Sequence, residues 1–262
     1  MKIALIGCGN LGLSILNGII DNPLVAKQDI YVTKRNPQSI LHFQELGIHV
    51  SSDNKLALEN AEIILIAVKP YDVKSVLKEI NPFLNPEKHI VISAATSVTI
   101  DEIKTEIQAN VPIFRAMPNT AADIKQSMTC ISTTSDNAKK IEQVKSFFNL
   151  VGNTILIKED LMESATVLGA CGIAYVLRFM RSMVQGGIQI GFDSKTATEI
   201  VNHVVKGAAE LLIERKEHPE HEIDKVTTPK GCTIIGLNEM EHNGFSSSLI
   251  KGISASYKQI EK

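Results

Sequence analysis

No apolar run in this chain approaches the roughly 20 residues that a membrane-spanning helix needs, so no integral membrane protein is expected. A large net charge is missing as well: 27 Lys and Arg nearly balance 29 Asp and Glu. Nothing therefore draws the whole molecule to nucleic acid or to an acidic membrane, and any anion site must be local. Cysteine is sparse. Cys8, Cys130, Cys171 and Cys232 lack the close spacing of a zinc site, and no export signal accompanies them to suggest disulfides. A reducing cytoplasm is the expected compartment, because the start, Met1 to Gly7, reads as a strand entering a glycine turn and not as a signal peptide. The seven histidines show no metal-ligand spacing except His218 and His221, whose surroundings are polar and charged. All seven are expected at the surface, and no metal is expected.

With 262 residues and 44% apolar content, the chain can fill one large core or two ordinary ones. Up to about Ile157, short apolar runs alternate with helix-like stretches: residues 3–6, 30–32, 63–68, 90–93, 113–116, 128–131 and 154–157. Continuous apolar strands separated by helices indicate a parallel sheet covered on both faces. After Lys158 the texture changes to helical periodicity over residues 161–190, 194–217, 232–242 and 246–261, with a polar break at Glu217–Glu222 and a loop at Thr227–Gly231. The expected class is α/β. A Rossmann-type doubly wound sheet over residues 1–158 precedes an all-helical substrate and dimerisation domain over residues 159–262. Apolar residues on more than one helix face, as in Ala170–Leu177, leave surface for a partner, so a homodimer or a higher oligomer through this half is expected.

Gly7-Cys8-Gly9-Asn10-Leu11-Gly12 fits G-x-G-x-x-G directly after the first strand and before an apolar helix. The first glycine permits the tight turn and the second lets a pyrophosphate approach the backbone. The third lets helix and strand pack closely, with the helix N-terminus facing the phosphates. At the end of the second strand an NAD-selective site usually places Asp or Glu; here the chain reads Thr33-Lys34-Arg35-Asn36. Lys34 and Arg35 suit a 2′-phosphate, so NADPH is expected and NADH is the less favoured alternative.

Two further segments, Ala67-Val68-Lys69-Pro70 and Arg115-Ala116-Met117-Pro118-Asn119-Thr120, follow strand ends. With Val226-Thr227-Thr228-Pro229-Lys230-Gly231-Cys232-Thr233 and Gly172-Ile173-Ala174-Tyr175 they make the chain resemble the pyrroline-5-carboxylate reductases along its whole length. The resemblance implies hydride transfer from NADPH to the C=N bond of 1-pyrroline-5-carboxylate, giving L-proline, the last step of proline biosynthesis. It implies cofactor contacts at Gly7, Gly9, Asn10, Leu11, Gly12, Lys34, Arg35, Asn54, Ala67, Val68, Lys69, Pro70, Ala95 and Asn119. Thr228, Gly231, Cys232 and Thr233 would bind the substrate, a cyclic imine carboxylate, and Thr233 would orient the ring nitrogen. Lys69 would position the cofactor. Departures from the family pattern are Ala170, Cys171, Ile173 and Lys230, the last at a position commonly Gly. The alternatives are a related NADP-dependent imine or β-hydroxy acid reductase, or a non-catalytic NADP-binding regulator; Ser164–Tyr175 contains no lysine, which counts against the β-hydroxy acid enzymes.

Overall fold

The computed structural model describes residues 1–260. It divides into two compact units, Met1–Cys171 with Ile260, and Gly172–Gln259.

The first unit is an eight-stranded sheet in the order β3-β2-β1-β4-β5-β6-β7-β8. The strands are β1 (Ile3–Ile6), β2 (Ile30–Thr33), β3 (His49–Ser51), β4 (Ile63–Ile66), β5 (Ile90–Ser93), β6 (Ile113–Met117), β7 (Ser127–Thr133) and β8 (Gly152–Leu156). The helices are α1 (Asn10–Ile20), α2 (Asn54–Asn60), α3 (Pro70–Ile80), α4 (Ile100–Glu106) and α5 (Ala138–Phe148). β1, β4 and β5 are buried along their whole length because helices cover both faces of the sheet. Alternation divides their side chains: Ile3 and Leu5 join Ile15, Leu16, Ile19 and Phe147 in one core, while Ala4 and Ile6 join Val73, Leu77 and Ile103 in the other. Each buried Ile, Leu, Val or Phe among them contributes about 1.5–3 kcal/mol. Local signals set the helix starts: Asp53 caps α2, and Thr99 with Glu102 forms a capping box on α4.

The structure corrects the expected sheet in two places. β3 was not expected. β7 runs antiparallel to β6, because the short connection between them has no room for the crossover helix that parallel pairing requires.

A continuous helical stretch spans Glu159–Gln189. It contains α6 (Met162–Ala165), a π-helical turn at Thr166–Cys171 and α7 (Gly172–Gln189). Over 31 residues, with a window of mean hydropathy 1.4, it is long and apolar enough by length and composition to cross a membrane. Ser, Thr, Gly and finally Arg178 and Arg181 interrupt its apolar residues, so it holds no uninterrupted apolar run of that length.

The second unit consists of α7, α8 (Ser194–Arg215), α9 (Pro219–Lys225), α10 (Cys232–His242) and α11 (Phe245–Ile260). α9 stands where a polar break was expected; His218 caps it and Pro219 opens it. The expected end of the last helix at Glu261 lies outside the described residues. Gly187 lets α7 approach α8, since a Cβ there would sit 3.1 Å from the Ala197 Cβ. The buried core of this unit comprises Val184, Ala197 and Val201, while Val176, Leu177, Ile213, Ile235 and Ile250 are exposed.

Candidate active site

The order of the sheet reverses between β1 and β4, and the glycine turn lies at the carboxyl end of β1. Gly7 has φ +93, and a Cβ there would meet Val68 Cγ1 at 2.6 Å and the Ala67 carbonyl at 2.8 Å. A Cβ on Gly12 would strike the Gly7 carbonyl. Both positions exclude any other residue on steric grounds. Gly9 is different: no atom lies within 4 Å of the place its Cβ would take, and Gly9 and Asn10 are exposed. Gly9 also gives α1 no side-chain cap, and the first turn of α1 carries no acidic residue. The turn therefore offers bare backbone and the positive end of a helix to open space, which is the chemistry a pyrophosphate requires. Leu11 packs against the core beneath it. Cys8 is buried in the turn; burial pushes its thiol pKa up, opposed by Lys34, so it stays protonated and unreactive.

Beside this turn, the Gly7 N–H donates to the Thr33 carbonyl at 3.0 Å, and the Ala67 N–H donates to the Ile6 carbonyl at 2.8 Å. Lys34 Nζ donates to Ser39 Oγ at 2.8 Å, and Arg35 pairs with Asp72 at 2.7 Å with its own side chain 87% exposed. Such an exposed pair contributes little to folding and leaves the guanidinium accessible to a stronger anion. Lys69 is exposed, followed by Pro70 as the first residue of α3.

Beyond the glycine turn, three of the expected cofactor residues are buried. The Asn54 side chain accepts from Thr33 Oγ1 at 2.5 Å and donates to Glu79 at 3.0 Å, which ties β2 to α2 and α3. Ala95 lies just past the end of β5, and its N–H donates to Ser93 Oγ at 3.3 Å. Asn119, just past β6, hydrogen-bonds within its own unit at both ends of its carboxamide.

In the second unit, Thr228, Gly231, Cys232 and Thr233 stand together. The Gly231 N–H donates to the Thr228 carbonyl at 2.9 Å, closing a turn with Pro229 second and Lys230, at φ +60, third. A positive φ at that position favours glycine, so Lys230 holds a strained conformation. A Cβ on Gly231 would strike Thr228 Oγ1. α10 starts at Cys232 without a side-chain cap, Thr233 is its second residue, and the Cys232 thiol is exposed.

Two features escaped the sequence reading. Arg115, in a strand that is otherwise apolar, is 1% exposed and pairs with Glu163 at 2.8 Å and Glu159 at 3.4 Å. Its charge in an apolar run was the available signal. His89 is buried, which corrects its expected surface placement. Its Nδ1 accepts from the Asn85 N–H at 3.0 Å, and Nε2 lies 3.1 Å from the Leu58 carbonyl.

A doubly wound sheet with a G-x-G-x-x-G turn at its switch point defines the Rossmann-type dinucleotide-binding class. Residues 2–97 match the family described as "NADP oxidoreductase coenzyme F420-dependent", and residues 159–262 match "Pyrroline-5-carboxylate reductase dimerisation". Pyrroline-5-carboxylate reductase 2 of Dictyostelium discoideum is 40% identical over 100% of this chain and 92% of its own length. Pyrroline-5-carboxylate reductase 1 of the same organism is 42% identical over 97% of this chain, which spans about half of that protein (48%). Among solved structures, a pyrroline-5-carboxylate reductase from Coxiella burnetii superposes with a TM-score of 0.89 at 28% identity, covering 99% of this chain and 97% of the other. The Plasmodium falciparum pyrroline carboxylate reductase, solved with NADP bound, gives the same TM-score and coverage at 24% identity and shares the fold. The chain belongs to the pyrroline-5-carboxylate reductase family.

Proposed function

We propose that this chain reduces the C=N bond of 1-pyrroline-5-carboxylate to give L-proline, with NADPH as the reductant. The observation that carries the reading is the pair of helix starts without side-chain caps: α1 behind Gly9, with open space beside it, and α10 behind the Thr228–Gly231 turn. One is suited to a pyrophosphate and the other to a small carboxylate. NADPH, when bound, supplies the hydride. The backbone of Gly7–Gly12 would hold its pyrophosphate, Lys34 and Arg35 its 2′-phosphate, and Ala67–Pro70 with Ala95 its ribose and nicotinamide end. Asn54 would shape the same wall through Thr33. The amides at Cys232 and Thr233 would bind the substrate carboxylate, helped by the Thr228 hydroxyl, with Gly231 closing the turn that presents them. The Thr233 hydroxyl would hold the ring nitrogen and set its face. A hydroxyl is a poor general acid near neutral pH, so the proton comes from solvent or arrives on the imine.

The working division of the chain is a cofactor half, residues 1–158, and a substrate half, residues 159–262. The exposed apolar residues of the helical unit support a homodimer through the second half. Four free thiols suit a reducing cytoplasm.

The test is NADPH oxidation against a panel of cyclic imines, with NADH in parallel. Turnover of 1-pyrroline-5-carboxylate with a preference for NADPH is expected, and Thr233→Ala is expected to lower kcat sharply while NADPH binding is retained. No turnover of any imine would refute the reading, and a preference for NADH would refute the role of Lys34 and Arg35.

A further inference from the structure

Asn119 follows β6 at the carboxyl edge shared by β1, β4, β5 and β6, the edge where open α/β sheets receive ligands. It is buried, and both ends of its carboxamide are engaged. Oδ1 accepts from the Ala121 N–H at 3.0 Å, capping the turn Thr120–Ile124. Nδ2 donates to the Gly169 carbonyl at 3.2 Å, fifty residues downstream. The Asn119 backbone N–H donates to Ser127 Oγ at 3.0 Å, so the residue itself is fixed to the sheet.

Gly169 lies within the π turn Thr166–Cys171. A π turn bonds five residues along in place of four and interrupts the regular i→i+4 ladder, so a side-chain donor to one of its carbonyls adds a tie from outside the helix. The start of this turn is anchored: Thr166 Oγ1 donates to the Met162 carbonyl at 2.9 Å, and Arg115 grips Glu163 and Glu159 about one and two turns earlier. Asn119 supplies the tie at its middle. No atom lies within 4 Å of where a Gly169 Cβ would stand, so on that side the turn presents bare backbone to open space. Reacting atoms must be held within a few tenths of an ångström for efficient transfer, and a turn of irregular pitch holds its place only through such ties.

We propose that Asn119 is a positioning residue for the reduction and not a direct ligand of the dinucleotide. It fastens the π turn at the carboxyl edge of the sheet, where the nicotinamide end of the cofactor would lie. This inference rests on the reductase reading above.

Two variants test it. Asn119→Ser keeps a hydroxyl to cap Thr120–Ile124 but is too short to reach Gly169. Asn119→Asp keeps the capping oxygen and the shape while turning the donor into an acceptor that faces a carbonyl. Three quantities are measured on the full chain: the Kd of NADPH without substrate, kcat with 1-pyrroline-5-carboxylate, and amide exchange along residues 166–171. Loss of one hydrogen bond, about 1.4 kcal/mol, corresponds to an exchange rate and a kcat each changed by about ten-fold. Exchange in 166–171 is expected to rise by that factor while β1, β4 and β5 keep their protection. The Kd of NADPH is expected to stay within about two-fold of the parent, since a lost direct contact would cost more. kcat is expected to fall, further in the Asp variant than in the Ser variant. A Kd that weakens in step with kcat makes Asn119 a cofactor ligand and overturns the proposal, as does unchanged exchange in 166–171. An unsubstituted chain that turns over no imine refutes the reductase reading instead, and the exchange measurement still decides whether the tie exists.

Discussion

Replacing Arg115 by Met should cost the fold about 2–3 kcal/mol. The guanidinium is 1% exposed and holds two carboxylates, Glu163 at 2.8 Å and Glu159 at 3.4 Å. Breaking a buried pair from one side costs about 3–5 kcal/mol, because the remaining charge loses its partner without regaining water. Two observations reduce that figure. Glu159 and Glu163 are 27% and 22% exposed, so part of their hydration returns, and Glu159 still accepts from the Ile100 N–H at 2.6 Å. Arg115 Nε has no partner among the described residues, and Met removes that buried donor with the charge. Met has about the length of the Arg stem, so little cavity is added. At roughly 2–4 °C per kcal/mol for a unit of this size, the thermal midpoint should fall by about 4–12 °C. Differential scanning calorimetry at neutral pH measures the shift. Arg115→Lys should recover only part of the loss, since an ammonium cannot spread across two carboxylates as a guanidinium does. A shift below about 2 °C for the Met variant, or full rescue by Lys, would refute the reasoning.

His89 gives a pH dependence. Both its partners are backbone groups, one able only to donate and one only to accept, so the ring is held neutral with its proton on Nε2. Burial first, and the Lys88 ammonium second, hold its pKa below the usual 6.5. As pH falls through about 6.5 the unfolded chain takes up the proton before the folded one, so the stability contribution is complete above that pH and is lost progressively below it. Thermal midpoints taken from about pH 7.5 down to 5 should slope downward, and His89→Gln should flatten the slope; an equal slope in both removes His89 as the cause. The glycine turn yields a contrast. Gly12→Ala drives a methyl into the Gly7 carbonyl and should lower stability by about 1–3 kcal/mol, read as a lower melting point. Gly9→Ala meets no protein atom and should melt like the parent, yet weaken NADPH by about ten-fold or more, because the methyl occupies the proposed phosphate space. Equal NADPH affinity for Gly9→Ala and parent would sink that placement.

The main strands were legible because quartets such as Ile63–Ile66, buried on both faces, leave no room for polar residues. β3 was not, since His49–Ser51 is three residues long with only Val50 buried, too short to show alternation. The reversal at β7 was readable in principle from the shortness of the connection after Met117 but is invisible to hydrophobic periodicity. α9 went unseen because a short helix with no fully buried residue has no apolar stripe, leaving His218 and Pro219 as its signals. The glycine turn and the Thr228–Thr233 turn could be located in advance because Gly and Pro mark backbone geometry directly. What Asn54 and Asn119 bond to could not, since their partners Glu79 and Gly169 are brought to them by tertiary structure alone.

The thin core of the helical unit, limited to Val184, Ala197 and Val201, has a consequence for how the protein matures. In the proposed homodimer, much of the free energy that fixes α7 to α11 would come from the encounter between copies, and folding of this half would be second order in chain concentration. A newly made chain would wait with its helices exposed until it met another. A damaged copy would therefore draw a sound one into a defective pair, so in a mixed population the loss of working pairs would exceed the share of damaged chains.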